Sequence, residues 1–494
     1  MSRSTRVSGL ARVKRKPDID VSELLQGLRE VLPAQAVITD EASLRAWECD
    51  GLPLYCELPL AVVMPREADE VAAVMSLCHR LDVPVVPRGS GTGLSAGAMP
   101  HPEGIVISLA GLDRIVDTDP ANRVARVQPG VTNLSISEAA AAHGLFYAPD
   151  PSSQIACSIG GNVAENAGGV HCLKYGLTVH NVTGLTLITA EGETLTLGGS
   201  GLDTPGPDLL ALMIGSEGLL GVVVEITVKL LPLPASVAVI MAGFDTVAAA
   251  GDAVGAVIAA GILPAGLEMM DALAIQAAED FAGAGYPREA AALLLCELDG
   301  SDAEVAEQCA AVSALLHDAG ASHVEMATDS ATRQRLWRGR KSAFPAVGRL
   351  SPDYYCMDGT IPRRHVAQIL AEISDMAGQS GLRVANVFHA GDGNLHPLIL
   401  FDASKPDEIR RAEALGARIL ERSVELGGCI TGEHGVGLEK LAQMSVQFSN
   451  AELLQLEAIK VAFDPSLNLN PGKGIPVLKR CQEYRALPQR HHHG

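Results

Sequence analysis

The segment PRGSGTGLSAGAMP, Pro87–Pro100, decides the fold. Its glycines at 89, 91, 93 and 97 follow directly on the apolar run VPVV, which reads as a strand. Gly91-x-Gly93-x-x-Ala96 formally satisfies the dinucleotide-binding pattern of a doubly wound sheet. That pattern requires a helix to begin here, so that its N-terminal amides face a pyrophosphate. Gly97, Pro100, Pro102 and Gly104 stand inside the stretch such a helix would occupy, and each disfavours helix, proline by about 3 kcal/mol. The doubly wound reading therefore fails. Two readings remain: a loop whose own successive N–H groups form an anion-binding nest, with glycines supplying positive φ and close backbone approach, or a flexible turn.

The flanks extend this reading. DVSELLQGLREVLP has helical spacing, and LAVVMPREADEVAAVMSLCHRLDVPVVPRGSG predicts strand, helix, strand and glycine loop. GIVISL, RVARVQPG and LTLITAEGETLTL predict short strands. DPSSQIACSIGGNVAENAGGVHCLKYG, Asp150–Gly176, strips away side-chain bulk while offering Ser152, Ser153, Asn162 and Asn166 as hydrogen-bonding groups, a surface suited to a large flat ligand. Tight helix packing is the competing reading, and IGSEGLLGVVVEITVKLLP, a third such segment, weakens it. Beyond Pro234 the texture changes: SVAVIMAGF, AAAGDAVGAVIAAG, PAGLEMMD, AAALLLCELDG, AEVAEQCAAVSALLHDAG and SHVEMAT predict the β-α-β-β-α-β order of a ferredoxin-like cap. The final stretch, from ITGEHGVGLEK to FDPSLNLNPGKG, is expected to be helical with glycine-rich ends and to return to the first domain. The expected divisions are a disordered basic tail at 1–20, a ligand-binding domain at 21–234, a cap or substrate domain at 235–429, a returning segment at 430–480 and a tail at 481–494.

Bulk properties exclude several classes. At 494 residues the chain exceeds what one core usually supports. Every apolar run is interrupted well short of the ~18 residues a membrane helix needs. A net charge of −20 with 3% aromatic residues repels phosphate backbones and offers few stacking platforms, which argues against nucleic acid. The ten cysteines, at 49, 56, 78, 157, 172, 296, 309, 356, 429 and 481, form no C-x-x-C pair, so no cluster or structural zinc is expected and reduced thiols in the cytoplasm fit. RSTRVSGLARVKRKPD lacks the apolar centre of a secretion signal, and the terminal RHHHG is either a metal-chelating tail or an unstructured remnant.

The apolar stretch NVFHAGDGNLHPLIL, Asn386–Leu400, carries His389 and His396 on either side of an Asp392-Gly393 hairpin signal. A two-residue turn there pairs His396 directly with His389, with Cβ atoms roughly 4.5 to 5.5 Å apart. Two imidazoles so placed reach one divalent cation. A third ligand is wanted, and GEHG supplies Glu433 beside His434. The plainer alternative has each histidine hydrogen-bonded within a polar turn.

PRGSGTGLSAG, DPSSQIACSIGGNVAENAGG, IGSEGLLG and NPGKG resemble the FAD-binding segments of vanillyl-alcohol-oxidase-type flavoproteins. HAGDGNLHP and GEHGVG resemble the C-terminal domain of the FAD-linked 2-hydroxy-acid oxidases and dehydrogenases. With GRKSAFPAVGRLSPDYYCMDGTIPRR included, the chain resembles the flavoprotein subunits of bacterial glycolate oxidases, and the likeness covers most of the chain from about residue 50 to about residue 480. The resemblance implies an α+β fold: a two-part FAD-binding domain, a ferredoxin-like α+β cap and a C-terminal helical segment returning to the FAD domain. It implies that Arg88, Gly89, Ser90, Gly91, Thr92, Gly93, Leu94 and Ser95 hold the pyrophosphate. Asp150, Ser152, Ser153, Gly160, Gly161, Asn162, Ala164, Asn166 and Gly169 would line the rest of the FAD, with Glu217, Gly218 and Val223 on the adenine side and Asn470 completing the set. Members that tether FAD covalently carry histidine where this chain has Thr92, so non-covalent FAD is implied. His389, His396 and Glu433 would bind a divalent metal, zinc or manganese, His434 would be the catalytic base, and Arg340, from the Arg338, Arg340 and Lys341 cluster, would bind the substrate carboxylate. Phe344 and Cys356 stand where relatives acting on hydroxyglutarate have Thr and Lys for a second carboxylate, so small substrates are implied: glycolate, oxidised to glyoxylate, or D-lactate, oxidised to pyruvate. Electrons would pass to partner subunits, including an iron–sulfur subunit, in a cytoplasmic complex that can lie against the inner membrane face. Two other classes remain at this stage, a metal-dependent hydrolase built on the His-His-Glu set and a non-catalytic flavin-binding scaffold.

Overall fold

The computed structural model describes residues 19–201 and 205–476. The expected basic tail up to residue 18, and Cys481 and RHHHG at the other end, lie outside the described residues. The fold is α+β, as expected.

A first sheet contains β1 (Val37–Ile38), β2 (Ala61–Val63), β3 (Val85–Arg88) and β4 (Ile105–Ser108) in the order β1-β2-β4-β3. Helix Ala68–Arg80 crosses between β2 and β3 and buries Val71, Val74, Met75 and Cys78 against them. After β3 the chain runs without helix to β4, as the glycine and proline spacing requires. Next come β5 (Ile115–Asp119), β6 (Val124–Val127), β7 (Leu145–Phe146), β8 (Val182–Ile188), β9 (Thr194–Gly198), β10 (Val222–Lys229) and β11 (Leu231–Pro232). Five of these form a second sheet in the order β5-β6-β10-β8-β9, and β7 pairs with β11. β10 buries every second residue, which places one of its faces on the core.

The third sheet has seven strands. They are β12 (Ser236–Phe244), β13 (Gly266–Asp271), β14 (Ala292–Gly300), β15 (Ala321–Ala327), β16 (Asp353–Cys356), β17 (Arg383–His389) and β18 (Pro397–Phe401), in the order β15-β12-β14-β13-β17-β18-β16. The first four strands keep the antiparallel ferredoxin-like order. One expectation fails here: β13 and β14 are joined by a helix, Ala272–Ala282, not by a direct connection. The apolar runs of β12 and β14 explain it. Ala238, Ile240, Ala242 and Phe244 face one core, whereas Val239 and Met241 face another. A strand that is apolar on both sides needs cover on both. Helices Val247–Ala259 and Asp302–Asp318 cover the first side, and Ala272–Ala282 covers the second with Ala274, Ile275 and Ala278. Its start is capped by Asp271 and its end by the left-handed Gly283.

Past helix Asn450–Phe463 the chain returns to the first sheet. The Val85 amide donates to the Asn468 carbonyl at 2.8 Å, the Asn470 amide donates to the Val85 carbonyl at 2.7 Å, and Leu469 bridges Val85 in parallel.

Candidate active site

A long cleft lies between the first two sheets and runs to the end of the third. Its walls are the backbone of Arg88–Leu94, the segment Ser152, Ser153, Gly160, Gly161, Asn162 and Ala164, and the turn holding Glu217, Gly218 and Val223. His396, Glu433, His434, Phe344, Pro345 and Lys341 line it as well. Of the residues expected to hold the cofactor, Ser95, Asp150, Asn166, Gly169 and Asn470 do not line the cleft, and each does structural work behind it. The Ser95 carbonyl accepts from the Leu438 and Glu439 amides at 3.0 and 3.1 Å, and Asn470 Nδ2 donates to the carbonyls of Gly97 and Glu217 at 2.9 and 2.8 Å. Asn166 Oδ1 accepts from the Val179 amide at 2.9 Å, and Gly169 packs against the Asp150 backbone so closely that a Cβ there would lie 2.4 Å from the Asp150 carbonyl oxygen. Asp150 itself turns to His171.

The glycines are needed because the walls touch each other. A Cβ on Gly89 would sit 2.2 Å from Ser158 Oγ, and one on Gly160 would sit 2.5 Å from Pro129. Ser158 caps the helix Ile159–Glu165, whose first turn therefore faces the glycine loop. The Arg88 guanidinium turns away to the Cys49 carbonyl, 2.6 Å, and stacks on Trp47, so this side chain braces the loop while its backbone lines the cleft. Glu217 in the cleft wall has a left-handed backbone, with φ of +52°, a strained conformation that the surrounding structure must hold. A chain of small residues, main-chain amides and hydroxyls suits a long, flat, anionic group such as FAD.

The expected hairpin is present with a different register. His389 bridges Asn394, and Asn386 pairs with Pro397, so the loop holds four residues, Ala390–Gly393, where two were expected. A two-residue type I′ turn needs positive φ at both central positions, and only Gly393 of this pair, at +86°, has it. His389 and His396 are therefore diagonal neighbours. Because the register differs by two residues, both still point to the same face, and their rings lie 5.1 Å apart.

Glu433 Oε1 stands 2.9 Å from His396 Nε2 and 3.4 Å from His389 Nε2. The His434 ring stacks on His396 at 5.0 Å, with its Nε2 3.8 Å from Glu433 Oε1. The other nitrogen of His389, Nδ1, lies 2.6 Å from Glu268 Oε1, and Glu268 Oε2 receives Arg340 Nε at 2.8 Å. This is the support a metal-binding imidazole usually has, a carboxylate on its second nitrogen. Burial alone would raise the Glu433 carboxyl, but His389 and His396 hold it well below the usual range. Burial alone would lower His396, yet Cys356 and Glu433 push it up to about 10. The attraction that draws protons to these nitrogens also draws a divalent cation, so the donor set fits one. Burial, above all, pushes His434 down to about 4, which leaves its imidazole neutral near pH 7.

Sequence reasoning missed three contributors. Asp358 accepts from the Thr431 hydroxyl at 2.5 Å and from the amides of Gly432, Glu433 and His434, and so shapes the loop that presents Glu433 and His434. Glu268 hides in GLEMMD, which reads as a core strand; a carboxylate inside an apolar run was the available signal. Glu165 meets Glu217 in the cleft wall, and Glu217 accepts the Val436 and Gly437 amides at 2.7 and 2.6 Å. Burial and the neighbouring Glu217 push the Glu165 carboxyl well up. Arg340, expected at the substrate carboxylate, is only 1% exposed, bound to Glu268 and off the cleft wall; of the Arg338, Arg340 and Lys341 cluster, Lys341 lines the cleft. Phe344 lines the cleft, and Cys356 Sγ is buried 4.0 Å from His396 Nδ1. Among the described residues, no helix is long and apolar enough to cross a membrane.

Comparison with known proteins agrees with this architecture. Residues 59–198 match the FAD binding domain, and residues 233–474 match the FAD linked oxidases, C-terminal domain. The chain is 58% identical over 477 residues, 97% of its length and 96% of the relative's, to the glycolate oxidase subunit GlcD of Escherichia coli K12. It is 32% identical to a D-lactate dehydrogenase of Anaerostipes hadrus, over 91% of this chain and 97% of that one. The structure of p-cresol methylhydroxylase with substrate bound shares the fold, with a TM-score of 0.79 at 17% identity over 93% of this chain and 97% of that one. A glycine-walled cleft of the FAD-binding type, a seven-stranded C-terminal sheet and this near full-length likeness lead to one conclusion: the chain belongs to the FAD-linked oxidases and is an FAD-dependent oxidoreductase.

Proposed function

We propose that the protein oxidises a small 2-hydroxy acid, glycolate to glyoxylate, with D-lactate to pyruvate as a related activity. The observation that carries this reading is the placement of His396, Glu433 and His434 in the wall of the same cleft that the glycine loop lines. The names of its relatives, a glycolate oxidase subunit and a D-lactate dehydrogenase, support it. When bound, FAD supplies a hydride acceptor, and a divalent cation such as zinc or manganese on His389, His396 and Glu433 supplies a Lewis acid. The residues do the rest. His434, neutral and stacked on His396, takes the hydroxyl proton at Nε2, the nitrogen turned towards Glu433. Lys341 meets the substrate carboxylate at the cleft wall. Arg340 fixes Glu268, which fixes His389. Phe344 and the buried Cys356 leave a second carboxylate without a partner and so select short acids.

In this reading FAD is held non-covalently, since the loop carries Thr92 and no histidine. The FAD-binding part spans 21–234, the cap 235–429 and the returning segment 430–480. Electrons leave to partner subunits, one of them an iron–sulfur protein, in the cytoplasm or against the inner membrane face; the E. coli relative's description as a subunit supports such a complex. Anaerobic mixing of the purified flavoprotein with glycolate, D-lactate, L-lactate and D-2-hydroxyglutarate tests the reading. Glycolate and D-lactate should bleach the flavin absorbance fastest; fastest bleaching by D-2-hydroxyglutarate, or none by any of the four, would overturn it.

A further inference from the structure

Glu433 does not face the FAD cleft alone, and His389 lies off that cleft. A second cavity is lined by those two residues together with Cys172, His180 and Asp392. Its wall is thin at Gly168, where a Cβ would stand 2.8 Å from Glu433 Oε2 and 3.2 Å from Cys172 Sγ. The Glu433 carboxylate is thus two-sided: Oε1 faces the imidazoles, and Oε2 faces the second cavity. Asp392 is exposed at the hairpin loop, so a carboxylate stands at the outer end, a thiol and a second carboxylate oxygen at the inner end. Of the proposed ligands, His396 and Glu433 line the FAD cleft, whereas His389 and Glu433 line the second cavity.

We propose that this second cavity is the passage by which a divalent cation reaches and leaves His389, His396 and Glu433, with Asp392 and Cys172 as transient ligands along it. The inference rests on the metal set of the proposed function. A hard carboxylate and a soft thiol in sequence suit a borderline cation handed from one to the next, the thiol giving up its proton to solvent as the cation binds. A group that only relays the cation changes the rates of entry and exit together and leaves the affinity alone.

The test uses FAD-loaded enzyme and zinc or cobalt(II), with uptake and release followed by the absorbance of a chromogenic chelator and with no activity readout. Asp392→Asn should slow uptake and release by the same factor, about tenfold, the low end of what a charged cleft adds to the arrival of a counter-ion. Leu177→Trp, which fills the cavity from its lining, should slow both further while the flavin spectrum stays native. Slowing of uptake and release by the same factor within each variant, at unchanged affinity, supports the passage. Unchanged rates in both, or a change in affinity carried by one rate alone, overturns it. Holoenzyme that takes up no cation at all overturns the ligand set itself, and the passage with it, so the two failures are told apart.

Discussion

His434 and Glu268 show how two buried groups serve one site in opposite ways. His434 is useful because burial keeps its imidazole uncharged. Replacing it with alanine should leave a yellow, folded protein whose cation content is unchanged but whose anaerobic bleaching is slower by about 10²–10⁴-fold, the usual worth of a positioned base. Glu268 is useful because it stays charged between Arg340 and His389 despite its burial. Glu268→Gln leaves Arg340, itself 1% exposed, without its counter-charge. Removing one partner of a buried pair costs about 3–5 kcal/mol, to be read as a lower denaturation midpoint. His389, His396, Glu433 and His434 were legible because polar side chains inside apolar or glycine-rich runs announce themselves. Glu268, Asp358 and the engagement of Arg340 were not, since their roles come from partners distant in sequence. Lys341 was named only as one charge in a cluster, and nothing in the sequence said which of the three cations would face the cleft.

The β17–β18 hairpin survives a wrong expectation about its turn, and the reason is the strand's period of two. Strand identity and facing were readable from the apolar pattern of Asn386–Leu400, whereas the loop length depends on backbone angles at Asp392 that sequence does not display. Gly393 is the position on which the loop turns. Its φ is +86° and a Cβ would lie 2.1 Å from the Ile361 carbonyl. Gly393→Ala adds about 1–2 kcal/mol of left-handed strain, before any clash. It should lower both the melting temperature and the cation content, because Asn394 and His389 pair across this loop. The helix Ala272–Ala282 was overlooked although Asp271 and Gly283 mark its two ends, and the unbroken apolar runs of β12 and β14 already required it.

At the scale of the whole molecule, His171 joins the two halves. Its ring nitrogens lie 2.9 Å from Asp150 and 2.8 Å from Glu297 of β14, and Trp337 Nε1 donates to the other Glu297 oxygen at 2.5 Å. Burial alone would lower this histidine, but Asp150 and Glu297 raise it well above its ordinary value. The folded protein therefore holds a proton that the unfolded chain releases near pH 6.5. That contribution is complete below about pH 6.5 and is lost as pH climbs through the folded value. The melting temperature should fall on the alkaline side of neutrality, and His171→Gln should flatten the fall; an unchanged slope in the variant would exclude this link. The change of texture at Pro234 falls between β11 and the first strand of the third sheet, β12, but no local pattern announces a contact between residues 150, 171 and 297.

The parallel bridge between Leu469 and Val85, with Asn470 holding the carbonyls of Gly97 and Glu217, has a consequence for biosynthesis. The cofactor cleft is not finished until residue 470 has left the ribosome, hundreds of residues after its first strand was made. Contacts so far apart in sequence close late, so a nascent chain stalled inside the cap still lacks the strand partner of Val85 and the brace on the Gly97 and Glu217 carbonyls. The frame behind the cleft is therefore completed only when residue 470 is in place.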